Sequence, residues 1–174
     1  QQSPSKKATK NLKKKQALVG GVIVDVLQDG RGQLHYYQGF HDVASIFLVT
    51  LNSAPLASAV LSKVSSSHFA DAMAPDFMSL MAALRVMIFP LIGAFDPPLL
   101  EFLLQSTVEP FFALSWVITW FSHDIRDVST ASRLFDAFLA SHPLFPIHVA
   151  VAMVCHPKNR RQVLNVECDF ASVH

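Results

Sequence analysis

Cysteine is nearly absent: Cys155 and Cys168 are the two thiols in the chain. Two cysteines at irregular spacing cannot build a disulfide framework or a thiolate zinc site, so free thiols are expected. Histidine is commoner, with eight residues, but no H-E-x-x-H occurs and no pair stands at ligand spacing, so no metal site is expected. His41-Asp42 and His123-Asp124 are neighbours in the chain, and neighbours on a helix point their side chains apart. A phosphate-binding loop and a nucleophile elbow are also missing, which leaves little ground for an enzyme with a small-molecule substrate of its own. Nothing resembles a secretory signal, because Asp25 comes too early and no small-residue cleavage site follows. A membrane span needs ~20 apolar residues. Arg85 and Pro90 interrupt one candidate, Glu109 and His123-Asp124 bound a second, and Pro143, Pro146 and His148 crowd the third, so no span is expected. Internal repeats are absent, and no run alternates well enough to make a sheet.

What remains is a strongly apolar chain. Apolar residues make up 51% of the 174 and mean hydropathy is +0.34, above the ordinary soluble average, so much of one domain should be buried. The net charge of +1 conceals an asymmetry. Lys6, Lys7, Lys10, Lys13, Lys14 and Lys15 precede every acidic residue, leaving 8 basic against 13 acidic residues beyond them. That acidic body argues against a nucleic-acid surface. Residues 1–15 carry too few apolar groups to offset the entropy of ordering and read as a basic mobile tail, linker or extended arm. Such lysines could touch anionic lipid or an acidic partner.

Beyond residue 16 the periodicity predicts helices throughout. Gln16 to Leu27 is followed by a turn at Gln28-Asp29-Gly30-Arg31-Gly32. Val43 to Leu51, Leu56 to Val64 and Met78 to Phe89 come next, the last with Leu80, Leu84, Met87 and Ile88 on one face. Asp96-Pro97-Pro98 reads as a helix start with Asp96 as cap. Val108 through Phe121 is apolar nearly all round and is expected at the centre of the domain. Ser129 to Ala140, capped by Asp127 or Ser129, should turn Leu134, Phe135, Phe138 and Leu139 inward. Pro146 to Val154 is another helix, and Lys158 to Arg161 a basic turn.

One stretch departs from core-helix chemistry: Leu34 to Leu48, L-H-Y-Y-Q-G-F-H-D-V-A-S-I-F-L. Tyr, Gln, His and Asp crowd the mouth of an apolar run, and each needs a polar partner or water if buried. Composition alone also fits a polar loop feeding a helix. Tyr36-Tyr37-Gln38-Gly39, however, resembles the Y-x-Q-G motif of the TBC domain, the GTPase-activating domain that acts on Rab small GTPases. Phe111-Phe112-Ala113-Leu114-Ser115-Trp116 with Trp120-Phe121, and Arg133-Leu134-Phe135-Asp136-Ala137-Phe138-Leu139, are similar to that family's F-A-x-x-W and R-L-W-D-x-F-L helices, in the same order. Ser141-His142-Pro143-Leu144-Phe145-Pro146-Ile147 and the ending Cys168-Asp169-Phe170-Ala171-Ser172-Val173-His174 resemble the endoplasmic-reticulum-associated branch that acts on early secretory Rabs.

The resemblance implies an all-α, irregular multi-helix TBC-type domain over residues 16–174, incomplete at both ends. It implies GTP and Mg²⁺ held by the partner GTPase, with no cofactor of the chain's own. It also implies a place on the cytoplasmic side, at the endoplasmic reticulum or Golgi through segments outside this chain. A TBC domain supplies an arginine finger from I-x-x-D-x-x-R and a glutamine finger from Y-x-Q-G. Carried onto this chain, the glutamine finger is Gln38. Tyr36 would pack or hydrogen-bond beneath it, Gly39 would let the partner's switch loop approach, and Tyr37, His41 and Asp42 would support the contact.

An arginine finger does not read out in the same way. Val22-Ile23-Val24-Asp25-Val26-Leu27-Gln28 has the aliphatic residue and the aspartate but glutamine in the arginine's place, and it lies too near Tyr36. Arg31 is a substitute candidate; the finger itself is expected N-terminal to Gln1, so the chain alone should stimulate hydrolysis weakly. Two alternatives stand beside this reading: a catalytically inactive TBC module that binds a Rab or scaffold, and a helical interaction domain on a membrane surface.

Overall fold

The computed structural model describes residues 6–173. Among them the chain is helical without strands, as an all-α domain requires. The expectations for residues 1–5 and for the side chains of Lys6, Lys7 and Lys10 lie outside the described residues.

Helix α1 (Lys6–Asp29) begins ten residues ahead of the start that periodicity suggests. The lysine-rich segment from Lys6 is therefore helical backbone and not extended chain, a correction to the expected arm. Lysine is a good helix former, and the packed half of α1 supplies a template to extend from. That half buries Val22 and Val26 against α3 (Ala54–Ser65), with α2 (Phe40–Leu51) alongside. Asp25 accepts a 2.7 Å hydrogen bond from the Ser58 hydroxyl. The aspartate of the finger-like V-I-V-D run thus ties α1 to α3.

Helix α4 (Met78–Phe95) passes through Pro90 instead of ending before it. Pro90 is exposed, so the hydrogen bond its ring forgoes is lost on the solvent side. By length and composition α4 is then long and apolar enough to cross a bilayer, against the expectation that Pro90 would break the run. Its buried stripe is Leu80, Leu84, Ile88 and Ile92, with Met87 only half-buried, and that stripe packs on α5 (Pro97–Gln105) and α8 (Phe145–Cys155). Asp96 caps α5 by accepting from the Leu99 amide at 3.1 Å. The same carboxylate takes the Arg160 guanidinium through Nε and, at 3.2 Å, Nη2. That hydrogen-bonded pairing holds the Asp96 carboxyl below the usual carboxylate range and locks α9 (Pro157–Leu164) to the α4–α5 corner. The basic turn expected at Lys158 to Arg161 is therefore part of a helix.

The central apolar segment is also not one helix. A 3-10 turn at Pro110–Ala113 leads into a short α6 (Leu114–Thr119), after which Trp120 and Phe121 both take left-handed backbone, φ 49 and 64. Both rings are 1% exposed. Trp120 lies 4.6 Å from Phe69, 5.1 Å from Phe135 and 5.3 Å from Phe138 between ring centroids, so the segment does sit at the centre. Helix α7 (Val128–Leu139) starts on Asp127, which accepts from the Thr130 amide at 2.8 Å. It turns Phe135 and Phe138 inward, while Leu139 is exposed. A last turn, α10 (Phe170–Val173), closes the described chain.

Candidate functional site

Residues 34–39 cross from the α1 turn to the start of α2 without regular structure. The His35 amide donates to the Met73 carbonyl at 2.8 Å and holds the segment against the body. Of the two tyrosines, Tyr37 is the one beneath: it is buried, whereas Tyr36 is 50% exposed. The Tyr37 hydroxyl donates to the Ile118 carbonyl at 2.6 Å. Burial, with a smaller contribution from Tyr36, pushes the Tyr37 phenol far above its ordinary value, so it stays a protonated donor. The expectation that Tyr36 underlies Gln38 is corrected accordingly. In Y-Y-Q-G the alternate residue faces inward, and the inward pocket is filled by Phe40 and Phe77, 5.5 and 6.2 Å from the Tyr37 ring.

This hydrogen bond carries a testable consequence. Tyr37→Phe keeps the ring and strands the Ile118 carbonyl in a dry site, so it should destabilise the fold by about 1–3 kcal/mol. Urea unfolding with an unchanged slope and a lower midpoint would register it; an unaltered midpoint would mean that water reaches that carbonyl.

Gly39 caps α2 with φ 104, a conformation L-residues avoid. A Cβ there would stand 2.8 Å from Thr119 Cγ2. Thr119 cannot readily rotate away, since its hydroxyl is bonded to the Ser115 carbonyl at 2.7 Å. The glycine therefore serves two ends, the left-handed turn and the close approach of α2 to α6.

Gln38 projects between these two anchored neighbours. It is exposed, and its amide has no hydrogen-bond partner among the described residues. It forms the rim of a groove of about 440 Å³ lined also by Gly39, His41, Phe77, Leu114, Ser115, Ile118, Thr119 and His123. The floor is apolar and the rim polar. No arginine lines this groove among the described residues. Arg31 sits exposed in the turn after α1 with φ 48 and does not join it.

Beside Gln38 runs a chain of polar groups that the sequence does not announce. The Tyr36 hydroxyl lies 3.2 Å from His41 Nδ1, and His41 Nε2 lies 3.5 Å from Asp42 Oδ1. Asp42 Oδ2 lies 2.9 Å from His123 Nδ1. His41 and Asp42 do not point apart as helical neighbours should; in the first turn of α2 the two side chains lean together. The hydrogen bond from His123 to Asp42, aided by that carboxylate's charge, holds the imidazole above its ordinary value, with Asp124 adding to it. His123 was missed by sequence reasoning: it is 81 residues from Asp42, and no spacing rule connects them.

Residues 23–162 match the family model of the Rab-GTPase-TBC domain. The chain is similar to TBC1 domain family member 20 of Bos taurus, with 40% identity over 152 residues, covering 87% of this chain and 37% of that protein. The Homo sapiens protein of that name is 39% identical over the same span. GTPase-activating protein gyp10 of Schizosaccharomyces pombe is 37% identical over 139 residues, covering 79% of this chain and 36% of that one. The chain thus spans little more than a third of the length of these curated relatives.

Proposed function

The chain belongs to the Rab-GTPase-TBC domain family, and from that premise we propose that it forms the glutamine-bearing half of an activating face for a Rab small GTPase. The observation that carries this reading is Gln38, an unpartnered exposed amide at the rim of a groove. Its backbone is held on one side by Tyr37 and on the other by Gly39. An amide both donates and accepts, so it can hold a water with its oxygen while its NH₂ bonds the partner. GTP and Mg²⁺ belong to that partner, and what the chain supplies is position and polarity. Being named for GTPase activation, gyp10 supports the same direction.

With no arginine at the groove among the described residues, the chain by itself is expected to stimulate weakly. An arginine finger is worth about 10³ to 10⁵ in rate, and a polypeptide bearing both fingers should recover it. Single-turnover GTP hydrolysis by a panel of Rabs, measured with this chain and with a longer polypeptide that adds the finger motif, is the test. Slight stimulation by the first and strong stimulation by the second is expected, greatest for early secretory Rabs. Strong stimulation by the chain alone that survives Arg31→Ala overturns the division of labour, and none from either overturns the reading altogether. Such partners would place the chain at the cytoplasmic face of endoplasmic reticulum or Golgi membranes. The exposed Lys13, Lys14 and Lys15 would be drawn to an anionic leaflet there.

A further inference from the structure

We propose that His123 is a second partner-contacting residue of this groove, anchored through Nδ1 by Asp42 and offering Nε2–H to an acidic side chain of the GTPase that docks over Gln38. The inference rests on the groove's being the Rab-activating face. Its carrier is the arrangement of cations around the groove. Among the described residues that line it, His41 and His123 alone can bear positive charge. Both nitrogens of His41 face groups within the chain, Nδ1 the Tyr36 hydroxyl at 3.2 Å and Nε2 the Asp42 carboxylate at 3.5 Å. His123 uses only Nδ1, at 2.9 Å from Asp42. Its side chain is 61% exposed, leaving Nε2 open to a partner.

The tautomer follows from the anchor. Facing a carboxylate, Nδ1 must carry hydrogen. Neutral His123 then presents Nε2 as an acceptor, and protonated His123 presents it as a charged donor, so the partner group it prefers changes with pH. The titratable groups facing the imidazole are Asp42 from α2 and Asp124 beside it, with His41 beyond Asp42. The lining residues of α6 (Leu114, Ser115, Ile118, Thr119) and Phe77 are uncharged. Both facing carboxylates favour the imidazolium. A folded-state value above the ordinary one means the charged donor is present at lower pH and is lost as pH rises through that value. Acid-side binding to a carboxylate should therefore exceed alkaline-side binding. Coulomb attraction of this exposed kind is screened by salt, which adds a second dependence.

Binding of this chain to each member of a panel of Rabs loaded with Mg²⁺ and a non-hydrolysable GTP analogue, by calorimetry at roughly pH 6 and roughly pH 8.5, tests the idea. The chain should bind its preferred Rab about fivefold more tightly at the lower pH, the scale of an exposed charge pair. His123→Gln, neutral throughout, should bind weakly at both values, and His123→Arg tightly at both. Equal affinity of the unaltered chain at the two values overturns the proposal, as does a pH dependence that persists in His123→Gln or His123→Arg. Melting curves of each variant establish folding; should His123→Gln not fold, the unaltered chain and His123→Arg still decide. Failure here is separable from failure of the activating role. A rate that depends on Gln38 beside pH-independent binding refutes His123 alone, whereas no binding to any Rab refutes both.

Discussion

Gln38→Ala should lower the maximal rate of partner GTP hydrolysis by about 10²-fold or more, the cost of removing one preorganised polar group from a charge-developing site. The measurement belongs in a polypeptide that carries both the arginine finger and this groove, where kcat can be separated from KM. Gln38 makes no hydrogen bond within the described residues and is exposed, so its truncation forfeits nothing in the fold. Helicity and melting temperature should stay where they are. Its anchors, Tyr37 to the Ile118 carbonyl and Gly39 against Thr119, are untouched by the change. The loss should fall on kcat, because in the proposed role the amide engages a water that becomes a nucleophile only as the reaction proceeds. An unchanged kcat would remove Gln38 from the chemistry and leave the groove as a binding surface.

Trp120→Ala should cost about 3–5 kcal/mol of folding stability, out of the 5–15 kcal/mol typical of a whole domain. The indole is buried to 1%, with Phe69, Phe135 and Phe138 around it at 4.6, 5.1 and 5.3 Å and His68 edge-on at 5.7 Å. Four aromatic neighbours, two from α7 and two from the loop after α3, cannot all collapse into the space it would leave. Its backbone adds a second effect, since φ is 49 at Trp120 and 64 at Phe121. Alanine keeps a Cβ and relieves none of the left-handed cost, while glycine relieves about 1 kcal/mol of it. Trp120→Gly should therefore be less destabilised than Trp120→Ala, the reverse of their order inside a helix. Urea midpoints of the two variants check both statements. A loss below about 1 kcal/mol for Trp120→Ala would contradict the packing account, and alanine above glycine would contradict the strained corner. That corner is what brings Thr119 to Gly39 and His123 to Asp42, so its loss should also disturb the groove.

Local chemistry was enough to read most helices and several of their starts. Asp96 before two prolines and Asp127 before Val128 cap helices as expected, because a cap is settled within three residues of itself. Gln38 was singled out by resemblance instead, its four-residue motif standing in a polar cluster that composition alone left open to a plain loop. Apolarity all round the segment from Val108 to Phe121 correctly signalled burial. It could not signal the breaks, since hydrophobicity reports where a residue goes and not its φ. Proline at residue 90 suggested an end that the buried stripe of α4 overrode, its packing outweighing one hydrogen bond missing on the solvent side.

Which tyrosine lies under Gln38, how α2 meets α6, and what stands across from Asp42 were decided only by tertiary structure. The Tyr37 and Asp42 hydrogen bonds each join residues 81 positions apart, beyond any periodicity or spacing rule. The sequence by itself determined an all-helical chain with a glutamine motif between its first two helices. The packed aromatic corner at Trp120-Phe121 determined what faces that glutamine, because only a chain folded back on itself can set a buried carbonyl over Tyr37 and an imidazole beside Asp42.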